Sequence, residues 1–330
     1  MKKIKNLIAL IALLLCGQSS WALNELVMKM DPAFKEGDLY TAFLYIPEIR
    51  KNIDENGNMI FTEMDEAFCN YYEAVNAQFL YNDIADKEKK LAHNTQHLGA
   101  DHFTTLAMKA VYSKMQPDWV DNARQAMDAA EAEFGQDSWQ YLAARYGYVE
   151  SLSENGKFEE GLKAASGASA LIKGTEMEGG WMDGLFNIAQ ATIFTNLQNA
   201  DEAANYFIVA TDIFNRRNNM IGDEKLTGLA MSGQFHLGHY ITSILRAFGM
   251  NTDAISMTEE LLSQMKQMDM DKTGLAMEMK GNISIAYFKE KDFAKSRPAM
   301  QEYLQYLEGK GEKDSRSYQY MESLYNQIPK

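Results

Sequence analysis

The chain has 330 residues, 46% hydrophobic and 24% charged, with 32 basic against 46 acidic side chains and a formal charge of -14. So acidic a surface repels nucleic acid and anionic lipid, and neither is expected as a partner. Its 37 alanines and 21 methionines against six valines favour helix over strand.

Lys2, Lys3 and Lys5 open the chain, followed by the apolar run Leu7–Leu15 and the pattern Ser20-Trp21-Ala22. The run is too short to span a bilayer, and the three parts together read as a signal peptide, residues 1–22, cleaved after Ala22. A lipid anchor on Cys16 is the competing reading, but Leu15 stands where a small residue should precede the cysteine. Cleavage removes three lysines and no acid, taking the formal charge from -14 to -17. No later stretch is apolar over the ~18 residues that a membrane helix needs. The mature chain is therefore expected in the periplasm or outside the cell. It keeps one cysteine, Cys69, expected as a small buried hydrophobe, so the core must hold the fold without a disulfide.

Residues 23–65 read as an irregular start. From Glu66 onwards, segments of about 12–18 residues with apolar positions three and four apart predict amphipathic helices. They are separated at "DENGN" (54–58), "SENGK" (153–157), "LQNAD" (197–201), "FGMNT" (248–252) and "KEKD" (289–292). A small residue follows each break at a short distance, giving the ladder Ala42, Ala85, Ala123, Gly161, Ala203, Ala254 and Ser296. A small side chain there lets the second helix of a pair approach the first, and each pair then stacks on the next. The interval of 51 residues between Ala203 and Ala254 predicts an insertion at 216–228. Pro47 and Pro298 fall inside second helices, where proline is expected to kink them. The tail, residues 314–330, places Tyr318, Met321, Leu324, Tyr325 and Ile328 on one face and reads as a capping helix.

The residues around these breaks resemble the tetratricopeptide repeat family. One copy runs Tyr148-Val149, Leu152, Gly156, Phe158, Gly161, Ala165, Ala168; another runs Ala191, Phe194, Ala203, Phe207, Ala210. A third is Ile283-Ser284, Tyr287, Phe293, Ser296, Met300, and the spacing near 42 is similar to the kinesin-light-chain variant. The resemblance implies an all-α, right-handed α-solenoid of stacked antiparallel helix hairpins, with repeats over 66–307 in a single domain from 23 to 330. It also implies a non-enzymatic scaffold whose concave face holds a peptide or helix of a partner protein. Carried over position by position, the groove would be lined by Asn70, Met108, Tyr112, Tyr146, Glu150, Thr192, Thr195, His236, His239, Arg246 and Glu278. Tyr112, Tyr146 and Arg246 are the expected anchors, since Tyr and Arg dominate binding hot spots.

Chemical motifs are few. The chain has no Gly-x-Ser-x-Gly, no phosphate-cradling glycine loop, no His-Glu-x-x-His and no Cys-x-x-Cys. No catalytic residue, cofactor or metal is therefore assigned. His93 and His97 share a helix face, with Asp101 and His102 just beyond, but zinc needs three or four converging ligands. The pair is read as the solvated end of a polar helix. In "DENGNMIFTEMD" Asp54, Asn56, Asn58 and Asp65 have calcium-loop spacing, yet Met59 replaces the glycine at the sharp turn; "DMDKTGLAMEMK" ends on Lys280 where a carboxylate is required. Met265, Met268, Met270, Met277 and Met279 could bind Cu(I) or simply fill gaps between helices. A component of an envelope-assembly or secretion complex, and a metal-binding protein or hydrolase built on the His or Met clusters, remain as alternative functions.

Overall fold

The computed structural model describes residues 25–36, 45–51, 61–80, 84–220, 226–267 and 271–329; the signal segment 1–22, Ala42 and the 54–60 stretch lie outside them. Every regular element among these residues is helical. Besides a short helical stretch at 45–49, they are α1 (Glu25–Glu36), α2 (Glu63–Leu80), α3 (Lys87–Leu98), α4 (Phe103–Tyr112), α5 (Trp119–Phe134), α6 (Trp139–Glu154) and α7 (Phe158–Ile172). There follow α8 (Trp181–Asn196), α9 (Ala200–Met220), α10 (Leu226–Ala247), α11 (Asn251–Gln267), α12 (Gly274–Lys289), α13 (Phe293–Gly309) and α14 (Arg316–Tyr325). None is long and apolar enough to cross a membrane.

Each helix packs on its neighbours in sequence, and α2, α4, α6, α8, α10, α12 and α14 also pack on one another in succession. Those seven form an inner layer, while α3, α5, α7, α9, α11 and α13 form the outer one. The chain is an α-solenoid. Its core is correspondingly extended, with one large cluster from α1 to α8 and smaller ones that carry the apolar contact on to α14.

The repeat is visible in the backbone itself. Gly156, Gln198, Gly249 and Lys291 all adopt the left-handed conformation, with φ of 73°, 58°, 78° and 62°. At each, the following amide donates back across the turn: Lys157 to the Leu152 carbonyl, Asn199 to Phe194, Met250 to Leu245 and Asp292 to Tyr287, at 2.8 to 2.9 Å. This bond caps an orphan carbonyl of the inner helix and turns the chain into the outer one. Five residues after each turn stand Gly161, Ala203, Ala254 and Ser296, all buried. A methyl built on Gly161 would meet Ile193 Cδ1 of the next inner helix at 3.0 Å, so a larger side chain at this rung would crowd that helix. The Ser296 hydroxyl also donates to the Ser284 carbonyl at 2.9 Å, binding α13 to α12.

The inner helices begin on caps of the expected kind. Ser138, Thr273 and Ser315 accept from Tyr141, Ala276 and Tyr318 amides at the starts of α6, α12 and α14. At α2 a reciprocal cap forms, Asp65 Oδ2 accepting from the Thr62 amide at 2.8 Å while Thr62 Oγ1 accepts from the Asp65 amide at 3.1 Å. Asp65 is thereby spent on capping rather than held for calcium.

Some expectations need correction. Ala85 is an exposed turn residue ahead of α3, not a rung; the close contact there is made by Asn94, which donates to the Ala67 carbonyl at 2.8 Å. A hydrogen bond replaces slenderness at that hairpin. Across the 51-residue interval α9 and α10 lengthen to 21 and 22 residues, and 221–225 of the expected insertion lie outside the described residues. Pro298 lies on the exposed side of α13, which continues through it to Gly309. Within the supposedly irregular start, α1 is helical and buries Val27, Met30 and Phe34 in the main core. Phe34 stacks on Trp139 with centroids 5.5 Å apart, and Trp139 and Trp181 donate to Asp31 and to the Lys35 carbonyl. α1 thus rests on the amino-terminal halves of the inner helices.

Two outcomes follow. Ala203→Leu forces a larger side chain between α8 and α9 and should cost about 1–3 kcal/mol, seen as a calorimetric melt several degrees lower. Lys291→Gly removes about 1–2 kcal/mol of left-handed strain against about 0.5–1 kcal/mol of added chain entropy. That variant should melt slightly higher than the parent, and an unchanged or lower midpoint would contradict the strain argument.

Candidate functional site

The carboxy-terminal halves of α4, α6, α8 and α10, with the first half and middle of α12 and α14, line a cavity of about 390 Å³. It is bounded by Tyr112 of α4, Tyr146 and Glu150 of α6, Thr192 of α8, His239 and Arg246 of α10, and Glu278 of α12. The inner face curves round this space and leaves it partly open. Tyr146 and Tyr240 hydroxyls meet at 3.3 Å, tying α6 to α10, and the Arg316 guanidinium of α14 reaches the Glu154 carbonyl at 3.5 Å.

Eight of the eleven groove positions expected from sequence converge here: Tyr112, Tyr146, Glu150, Thr192, Thr195, His239, Arg246 and Glu278. Asn70 and Met108 do not. Asn70 is buried between α2 and α3, where it donates to Asn94 and accepts from Arg50 beneath the Arg50–Glu66–Glu73–Lys90 ion network. Met108 is fully buried on the core side of α4. His236 belongs to α10, but its side chain lies outside the described residues. Residues such as Lys114, Glu154, Tyr240 and Tyr303 also line the cavity and were not singled out from sequence. Lys114 and Glu154 stand at or past the ends of their helices, where a helical stripe no longer says which way a side chain points.

Charge in the cavity is mixed and largely paired. Lys114 donates to Glu150 Oε1 at 2.7 Å; burial disfavours the ammonium, but the Glu150 charge and hydrogen bond outweigh it and hold its pKa above the ordinary value. Burial raises the pKa of Glu278, although the hydroxyl of Tyr303 donates to it at 2.7 Å and partly offsets the shift. Burial also raises that of Glu154, assisted by the neighbouring Glu150 charge. Arg246 forms no salt bridge among the described residues, and burial lowers its pKa. His239 is neutral, held down to about 4 by burial and then by Arg246, and its Nδ1 lies 3.4 Å from the Asn282 amide.

The decisive feature is what remains unsatisfied. Tyr112 Oη, Glu150 Oε2, Thr192 Oγ1 and Arg246 Nε are buried without a hydrogen-bond partner among the described residues, as is the Gln78 amide nitrogen, and all five belong to residues of this cavity. An unmet buried polar group costs about 1–3 kcal/mol, so a fold keeps several together only where solvent or a ligand completes them. Two hydroxyls, a guanidinium, an amide nitrogen and a carboxylate oxygen offer both donors and acceptors.

The other sequence motifs have structural roles. Cys69 is buried, and burial pushes its thiol pKa well up, away from nucleophilic character. Met265, Met277 and Met279 are core side chains, with Met268 and Met270 outside the described residues. Thr273 caps α12, and His102 Nδ1 accepts from the Thr104 amide at the start of α4. Comparison of the chain with models of known families and with curated proteins finds no match.

The buried His239 makes stability depend on pH. Its unfolded value of 6.5 exceeds the folded value of about 4, so the unfolded chain binds the extra proton and stability falls as pH drops through that window. His239→Gln should remove that part of the loss, up to about 1.4 kcal/mol per pH unit. Urea melts of both proteins at several pH values between those limits provide the check, and parallel profiles would count against it.

Proposed function

We propose that the protein is an exported, non-catalytic binding protein, tetratricopeptide-like in its repeats, that holds a short peptide segment of a partner protein in this cavity. The unpartnered polar groups carry that reading. A peptide presents an N–H donor and a C=O acceptor at every residue, which suits hydroxyls, a guanidinium and a carboxylate oxygen facing one space. Aromatic and aliphatic walls from Tyr112, Val111, Tyr146, Val149 and Ile285 suit its side chains. Export rests on the amino-terminal Lys-rich and apolar run, with the acidic surface expected to remain soluble outside the cytoplasm.

Arg246 is the natural anchor because, among the described residues, its charge is not already spent on a carboxylate. A free carboxyl terminus or an acidic side chain of the segment would pair with it in a charge-assisted bond. The cavity is short and closed on two sides, so it fits a chain end or a few extended residues better than a long helix. α1, lying on the other half of the inner helices, leaves this end as the available surface.

The test is retention of a randomised hexapeptide library with free carboxyl termini on immobilised protein, followed by calorimetric titration of the retained peptides. Arg246→Met should weaken them at least tenfold, about 1.4 kcal/mol, and carboxyl amidation should reproduce the loss on the parent. Failure to retain any peptide, or equal affinity for Arg246→Met, would overturn the assignment.

A further inference from the structure

The first hairpin lines the cavity through Ala77, Gln78 and Lys87, and elsewhere, among residues that do not line it, gathers three metal-ligating side chains. Glu63 is the first residue of α2, and His93 and His97 lie one turn apart on α3. Glu63 Oε2 is 3.6 Å from His93 Nδ1 and 3.9 Å from His97 Nε2, and the two imidazole rings are 4.5 Å apart. Among the described residues this is the one group of His, Cys, Asp or Glu side chains whose ligand atoms converge in this way.

The local hydrogen bonding fixes which atoms face inwards. His93 Nε2 lies 3.0 Å from the Glu63 carbonyl oxygen, which can only accept, so in the neutral ring that nitrogen carries the proton. Nδ1 is then left with a lone pair directed at the Glu63 carboxylate. Two acceptors held face to face repel unless a cation sits between them. An imidazole anchored through its second nitrogen to a carbonyl is also the arrangement that orients histidine as a metal ligand.

We propose that Glu63, His93 and His97 form a binding site for a divalent transition-metal ion, with zinc as its representative. Ligand bonds of about 2.0–2.2 Å in a tetrahedral shell place neighbouring ligand atoms roughly 3.3–3.5 Å apart. The observed separations exceed this by a few tenths of an ångström, and the Glu63 side chain, 70% exposed, is free to close the gap. Solvent supplies the fourth position, since the three protein ligands lie at the surface. Two imidazoles and one carboxylate suit zinc, nickel or copper and disfavour calcium or magnesium, which prefer all-oxygen shells. Bound metal would join the first turn of α2 to the last turn of α3, a contact that exists in the folded hairpin and not in the unfolded chain.

Tag-free protein, dialysed against chelator and then into metal-free buffer, is titrated with ZnCl2 against a chromophoric competitor. One ion per chain is expected, with a rise in melting temperature on saturation. His97→Ala should weaken binding at least tenfold and abolish the rise, and Co2+ loading should give a visible d–d band in the parent but not in that variant. Should His97→Ala alter the far-UV spectrum, the exposed Glu63→Gln carries the same test, with a smaller but clear loss of affinity. Non-saturable binding, or parent affinity retained in the well-folded variants, would overturn the proposal.

Discussion

The structure depends on close approach between an outer helix and two inner ones at a single slender side chain. Gly161, Ala203, Ala254 and Ser296 each stand five residues beyond a left-handed turn residue, and each is buried. The turn sets the direction of the outer helix, and the small side chain sets its depth. Ridges of the larger side chains can then interlock from hairpin to hairpin, which is how a chain without a disulfide sustains a core running its whole length.

Repetition of that contact has a consequence for chemistry. Inner helices stacked by one recurring geometry direct one face at a common space, and the curvature brings α14 back to α6. Side chains that would face water on an isolated hairpin therefore meet one another. Lys114 finds Glu150, Tyr146 finds Tyr240, and Tyr303 finds Glu278. Buried charge is costly unless paired, and most of this cavity obeys that rule. Arg246, with no carboxylate partner among the described residues, is the exception that gives the space an electrostatic preference.

The first hairpin departs from the pattern of the others. Its close contact is polar, made by Asn94 and Asn70, and an ion network of Arg50, Glu66, Glu73 and Lys90 lies over it. Burial disfavours the Arg50 charge, yet the hydrogen bonds it donates to Glu66 and Glu73 keep its pKa raised, and the Glu73 carboxyl is correspondingly lowered by Arg50 and Lys90 against its own burial. Stacking of Phe34 on Trp139 and the bonds of Trp139 and Trp181 to α1 fasten this amino-terminal end to later repeats. That end is braced by specific polar contacts rather than by the slender-residue rule.

Much of the architecture was legible because helix, turn and rung are decided within a few residues of one another. The break at Asn155-Gly156 and the rung at Gly161 could be read locally, and so could the capping face of Tyr318, Met321 and Leu324. Inner-face positions such as Tyr146, His239 and Glu278 were also found, since helical periodicity carries them to one side. Asn70 and Met108 were misplaced because the first hairpins are irregular, and the helical character of α1 was missed because its apolar face is short and contains Pro32. By itself the sequence determined the helical class, the hairpin repeat and the sidedness of each inner helix, all properties of neighbouring residues. The cavity, the lack of a carboxylate partner for Arg246 among the described residues and the meeting of Glu63 with His93 and His97 were decided only in three dimensions, because curvature summed over successive hairpins and contacts between separate helices leave no local mark in the chain.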